Sequence, residues 1–123
     1  MKQTITIPAP AALGPYSHAC KINGFVYTSG QLGIDPATGK MPADVAEQTR
    51  LALENLKNVL EAADMGLADV VKTTVFVTDL ANFATVNSVY GKYFTENWPG
   101  RSCVQVAALP AGGLVEIEAV ASK

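Results

Sequence analysis

Val70-Val71-Lys72-Thr73-Thr74-Val75-Phe76-Val77-Thr78 is β-branched nearly throughout, a composition that predicts a strand. Both of its faces are mostly apolar or Thr. With helices on one side of a sheet, such a strand needs a cover on the other side too, and a second subunit is the natural one. Immediately upstream, Asp44 and Glu47 form a capping pair and Gly66 stands beyond Met65 as a terminator, predicting a long helix between them. Its apolar stripe is Val45, Thr49, Leu53, Leu56, Leu60 and Ala63, with Glu47, Arg50, Glu54, Lys57 and Glu61 on solvated faces. Downstream, Asp79 or Asn82 starts a second helix with the stripe Phe83, Val86, Tyr90 and Phe94. Asn87 falls on that stripe. An amide among aromatics needs partners, either as a strut to backbone or as a contact aimed at a ligand.

Further out, Thr4-Ile5-Thr6-Ile7 predicts a short edge strand ended by Pro8-Ala9-Pro10. Gly14 to Ile22 is a turn leading into a second strand, Asn23-Gly24 is a two-residue hairpin signal, and Phe25 to Leu32 is the returning strand. Gly30, near its end, allows a bulge or a close approach to a ligand. Residues 33–42 carry turn chemistry.

At the other end, Pro99 to Val106 and Leu114 to Ala119 both alternate with strand period, so Arg101, Cys103 and Gln105 share one face. The intervening Pro110-Ala111-Gly112-Gly113 reads as a turn, which predicts that the two runs pair antiparallel and that Glu116 or Glu118 meets the face of Arg101. The predicted order is β-β-β-α-β-α-β-β. No internal repeat is visible, though the two β-α passages hint at a duplicated plan.

An arginine so placed can hold a planar carboxylate through two parallel hydrogen bonds, and a nearby glutamate can handle a proton or a water. The plain alternative is a cross-strand Arg–Glu ion pair on a solvated face. Tyr16 can donate or relay a proton through its hydroxyl, or simply satisfy a structural hydrogen bond. Cys103 has no histidine base beside it and reads as a small apolar residue whose backbone amide, not its sulfur, is the ligand contact. His18 reads as structural.

The chain has 123 residues, enough for one compact domain over 1–123, and is 49% hydrophobic but only 16% charged. Such a surplus of apolar surface suits an oligomer interface. Nine Lys+Arg against eleven Asp+Glu are scattered, which argues against nucleic acid as a partner. One His and two distant Cys make a metal site, a redox motif or a disulfide framework improbable, so the chemistry falls to Arg, Glu, Tyr, Ser, Asn and backbone. No run approaches a membrane span and no signal-peptide core is present, which points to the cytoplasm.

Gly14-Pro15-Tyr16-Ser17, Thr28-Ser29-Gly30-Gln31, the stretch from Val71 to Val77, Phe83 to Tyr90, Arg101-Ser102-Cys103-Val104 and Glu116-Ile117-Glu118-Ala119 together resemble the reactive-intermediate deaminases, the RidA or YjgF-type proteins. They occur in that family's order and spacing across nearly the whole chain. The resemblance implies a chorismate-mutase-like α+β fold, a mixed β-sheet with two helices on one face, and a homotrimer with ligand clefts between subunits. It implies hydrolysis of reactive 2-imino acids, released by pyridoxal-phosphate enzymes, to 2-keto acids and ammonia, with no cofactor and no metal. Carried over, Arg101 is the carboxylate-binding arginine and Glu116 the glutamate that positions or deprotonates the attacking water. Tyr16, Ser29, Gly30, Asn87 and the Cys103 region line the cleft. Gly100 stands where alanine is common, and Gln105 where glutamate is common, a departure that bears on substrate preference. Two other readings are a non-catalytic 2-keto acid sensor using the same arginine, and a ribonuclease, which the lack of a basic patch and of a His pair disfavours.

Overall fold

The computed structural model describes residues 1–123, with seven strands in one sheet and two α-helices. The strands are β1 (Gln3–Ile5), β2 (Ala19–Ile22), β3 (Phe25–Thr28), β4 (Gln31–Leu32), β5 (Val70–Val77), β6 (Gly100–Gln105) and β7 (Val115–Ser122). Helices α1 (Val45–Ala62) and α2 (Phe83–Tyr93) flank β5 in sequence. The sheet runs β1-β2-β3-β7-β5-β6, with β4 also on β7, and only the β5–β6 pair is parallel. It is a mixed sheet of α+β type.

Asn23 and Gly24 take positive φ of 51° and 79°, as the mirror-image hairpin turn between β2 and β3 requires. The predicted third strand is split. Tyr27 pairs with Val120 but Gln31 with Ile117, so four steps on one side face three on the other, and the extra residue is a bulge around Ser29 and Gly30. Thr28 Oγ1 accepts from Ala119 N at 3.0 Å and fills the gap this leaves in the ladder.

The N-cap of α1 is as expected, Asp44 accepting from the backbone N–H of Glu47 at 3.1 Å. Its end is not. The left-handed residue is Asp64, with φ 60°, and Met65 N–H closes onto Leu60 O at 2.9 Å, whereas Gly66 is extended and opens a 3-10 turn. Asp79 and Asn82 both serve as starts, Asp79 for a 3-10 turn over Leu80–Asn82 and Asn82 for α2 itself.

Leu53, Leu56, Val59 and Leu60 of α1 and Val86 of α2 pack on Val26, Val75, Val77, Val115 and Ile117 of the sheet, all essentially without solvent exposure. Burial alternates strictly along β7, and the residues between the buried ones, Glu116, Glu118 and Val120, belong to the opposite face. That face carries no helix. Phe25 and Tyr27 lie on it with ring centroids 6.3 Å apart, 40% and 49% exposed.

The predicted antiparallel pairing of the arginine strand with the last strand does not form. A strand, a crossover helix and a strand give a parallel pair, so β6 returns through α2 to the outer edge of β5, and β7 takes β5's other edge. Arg101 is in register with Thr73 on the helix face, while Glu116 is in register with Phe76 on the open face. The two groups therefore do not share a face within one chain.

Candidate functional site

Arg101 enters β6 as its second residue and turns toward α2. Its Nη1 donates to Asn87 Oδ1 at 2.7 Å, and its guanidinium carbon lies 4.8 Å from the centroid of the Tyr90 ring and 5.6 Å from that of Phe83. Asn87 is thus neither a strut to backbone nor free, but a side-chain partner of the arginine. Around them opens a cavity of about 450 Å³ lined by Asn87, Tyr90, Phe94, Trp98, Pro99 and Arg101, large enough for a small organic acid. Trp98 donates from its indole N–H to Phe94 O at 3.0 Å and is 75% exposed at the cavity's edge.

The second cavity lies on the other side of the sheet, about 190 Å³, where Tyr16, His18, Gly30, Leu32, Ile34 and Glu116 are among the lining residues. A methyl group on Gly30 would come within 2.7 Å of the Glu116 carboxyl carbon, so the missing side chain is what leaves the glutamate its place. Burial raises the Glu116 pKa above the usual value, and the charge of Glu118 adds to the rise. Tyr16 accepts from Leu13 N–H at 3.0 Å through its hydroxyl oxygen, which leaves its own proton free to donate. His18 is tied on both ring nitrogens, receiving Ile7 N–H at 3.3 Å and meeting Pro10 O at 2.8 Å, so it braces the chain that walls this cavity.

Ser29 and Cys103 line neither cavity. Ser29 donates its hydroxyl to Ser17 O at 2.6 Å and holds the bulge in place. Cys103 packs against the core beside Arg101 on the helix side, and burial raises its thiol pKa, although Arg101 works the other way. A protonated, half-buried thiol is a poor nucleophile. Gln105, the departure noted in the sequence, receives Leu80 N–H at 2.9 Å and so serves the 3-10 turn before α2. No group of three His, Cys, Asp or Glu side chains is disposed to hold a metal ion.

The assigned residues thus fall into two halves, Arg101 with Asn87 and Glu116 with Tyr16 and Gly30. The family model described as Endoribonuclease L-PSP matches residues 6–123. The chain belongs to the YjgF/RidA family. It is 51% identical, over 98% of both chains, to the 2-iminobutanoate/2-iminopropanoate deaminase of Escherichia coli strain K12. The structure of RidA from the Antarctic bacterium Psychrobacter sp. PAMC 21119 superposes with a TM-score of 0.95 at 48% identity, covering 98% of this chain and 99% of that one. That of E. coli TdcF with bound serine gives 0.94 at 46% identity, covering 98% of each.

Sequence reasoning missed Phe83, Tyr90 and Trp98 as neighbours of the arginine, since an aromatic stripe at helical spacing is most simply core. The available signal was that Phe83, Asn87 and Tyr90 recur at steps of four and three and so share one face of α2.

Proposed function

We propose that this RidA-family chain is a cofactor-independent deaminase that hydrolyses 2-iminobutanoate and 2-iminopropanoate to the 2-keto acids and ammonia. Its cleft is shared between neighbouring copies of a homotrimer, each contributing residues 1–123 as one RidA-like domain. The observation that carries the reading is Arg101, a guanidinium at the mouth of a small cavity with no carboxylate partner, which suits the carboxylate of a 2-imino acid. The name of the E. coli relative supplies the substrate class, and a small amino acid bound to TdcF agrees with it in size and charge.

The split halves support a shared cleft. Glu116 and Arg101 on opposite faces of one sheet act on one molecule only if a second copy lays its open face near the first copy's β6 edge. The uncovered aromatic surface of Phe25 and Tyr27, with Val104 also exposed, favours such an assembly.

In this reading Arg101 grips the substrate carboxylate, and ionised Glu116 of the facing copy takes a proton from a water whose oxygen bonds to the imine carbon. The resulting carbinolamine loses its C–N bond as the nitrogen takes protons, with Tyr16 as donor or relay, and leaves as ammonia. The carbonyl of the 2-keto acid forms as the amine departs and the carbinolamine hydroxyl passes its proton to Glu116, the first proton having gone on to the nitrogen. Ser29 shapes the bulge beneath the site, and the backbone beside Cys103 contacts ligand. The sole histidine is committed to backbone on both nitrogens, which argues against the acid–base cleavage of RNA. Two cysteines left as free thiols suit the reducing cytoplasm, where we place it.

The test is keto-acid release from an amino-acid dehydratase that generates 2-iminobutanoate. The purified protein should accelerate release above the spontaneous rate and Arg101→Ala should abolish the acceleration. An unchanged spontaneous rate with the wild-type protein would sink the proposal.

A further inference from the structure

Arg101 is a cation without an anion. The chain's one ion pair joins Glu47 and Arg50 on α1, and the partners of Arg101 are all neutral: the amide oxygen of Asn87 and the rings of Tyr90 and Phe83. Tyr90 is the most firmly held of these. It is 7% exposed, its hydroxyl lies 2.7 Å from the buried Thr73 Oγ1, and its ring meets that of Phe94 at 4.7 Å. Thr73 and Arg101 are partners in the β5–β6 register, so the same two strand positions place both the guanidinium and the pin that fixes the ring beside it.

A carboxylate would orient Arg101 more strongly than these groups, but it would also occupy the paired N–H donors and cancel the charge that an incoming acid needs. A ring face attracts the guanidinium through its quadrupole, and Asn87 receives only one of five N–H groups. The donor edge and the full charge remain for a ligand.

We propose that Tyr90 is a positioning residue, which, pinned by Thr73, presents its ring face to Arg101 and, with the Asn87 amide, orients the guanidinium toward a substrate carboxylate without neutralising it. This rests on Arg101 being the carboxylate anchor.

The test measures 2-oxobutanoate affinity by calorimetry on the assembled protein, together with kcat and KM for imine hydrolysis. Tyr90→Leu removes the ring face and should weaken 2-oxobutanoate about tenfold and raise KM by a like factor, with kcat nearly unchanged. Tyr90→Phe keeps the ring and should lose no more than about threefold, because only the Thr73 tie is gone. Asn87→Asp retains the acceptor but adds a charge, and should weaken 2-oxobutanoate by at least about tenfold although it holds Arg101 more tightly.

A merely structural Tyr90 would give the opposite pattern in Tyr90→Leu, a lower kcat at constant KM from a smaller folded fraction, and that result overturns the proposal. So do equal losses in Tyr90→Leu and Tyr90→Phe, or wild-type affinity in Asn87→Asp. Should Tyr90→Leu fail to fold, Asn87→Asp and Tyr90→Phe decide alone, the first by its loss and the second by its retention. Should the wild type bind 2-oxobutanoate yet hydrolyse no imine, the deaminase reading falls while the affinities still judge Tyr90.

Discussion

Glu116 sits where an apolar wall and a second carboxylate both oppose its ionisation. Hydrolysis that needs its ionised form should rise with pH through a midpoint above that of an ordinary glutamate, and Glu116→Gln should abolish that limb in a kcat/KM profile. The same shift has a sign for folding. A carboxyl whose folded pKa lies above its unfolded one stabilises fully below the unfolded value, and the contribution is lost as pH rises through the folded one. Stability should therefore slip as pH climbs out of the carboxylate range, and urea titrations at stepped pH should show Glu116→Gln free of that slope. Gly30→Ala makes a separate point: the added methyl meets only the mobile end of Glu116, so kcat should fall at least about tenfold while the melting temperature moves little. Arg101, Asn87 and Gly30 stood out as candidate site residues because each is an unusual choice for its strand or stripe, whereas Glu116 was separated from Glu118 only by the family resemblance, since alternation puts both on one face. What Gly30 makes room for was not legible, since it depends on a residue 86 positions later.

At the scale of elements, the β-branched content of β5, the Asn-Gly turn and the cap of α1 declared themselves because each is a local preference with a local cause. The partner of β6 did not. Turn residues between β6 and β7 suggested a hairpin, but the crossover through α2 sets β6 parallel on one edge of β5 while β7 takes the other, so the two runs never meet. The buried polar residues of α1 were equally hidden. Asn55, fully buried, donates to Leu32 O at 3.1 Å and Ile34 O at 2.8 Å, tying α1 to the chain beyond β4, and Gln48 spans Pro42 O and Leu114 N–H at 2.7 and 2.8 Å. Asn55→Ala should cost about 2 kcal/mol by denaturant unfolding, as two buried carbonyls lose their donor. Gly33→Ala should be at least as damaging, since its methyl would be driven into the backbone of Gln48, which cannot step aside.

At the scale of the whole molecule, the division of the site predicts complementation. In the proposed trimer, Arg101→Ala and Glu116→Gln should each retain only a small residual activity alone, but after subunit exchange roughly a quarter of the clefts would unite an intact arginine with an intact glutamate, from statistical mixing in a closed ring. Recovery of activity on mixing, followed as keto-acid release, checks this; a mixture as dead as its components argues for a site within one chain. Tyr27→Glu, placed on the open sheet face, should shift sedimentation toward the monomer and remove activity with it. That a cover would suit this face was suggested by the two-sided apolar character of β5, but which residues would meet across it in the proposed assembly depends on contacts no single chain contains.

The neutral setting of Arg101 has one more effect, on the timing of turnover. The acid group it seizes is carried unchanged from reactant to product, so its hold is equal at both ends of the reaction and acts on how much scarce reactant is gathered, not on the climb between them. A firmer hold would also make the spent molecule linger. An amide and two ring faces keep the cation aimed with its charge unspent, so the spent molecule is held as well as the fresh one and should compete with it for the cleft.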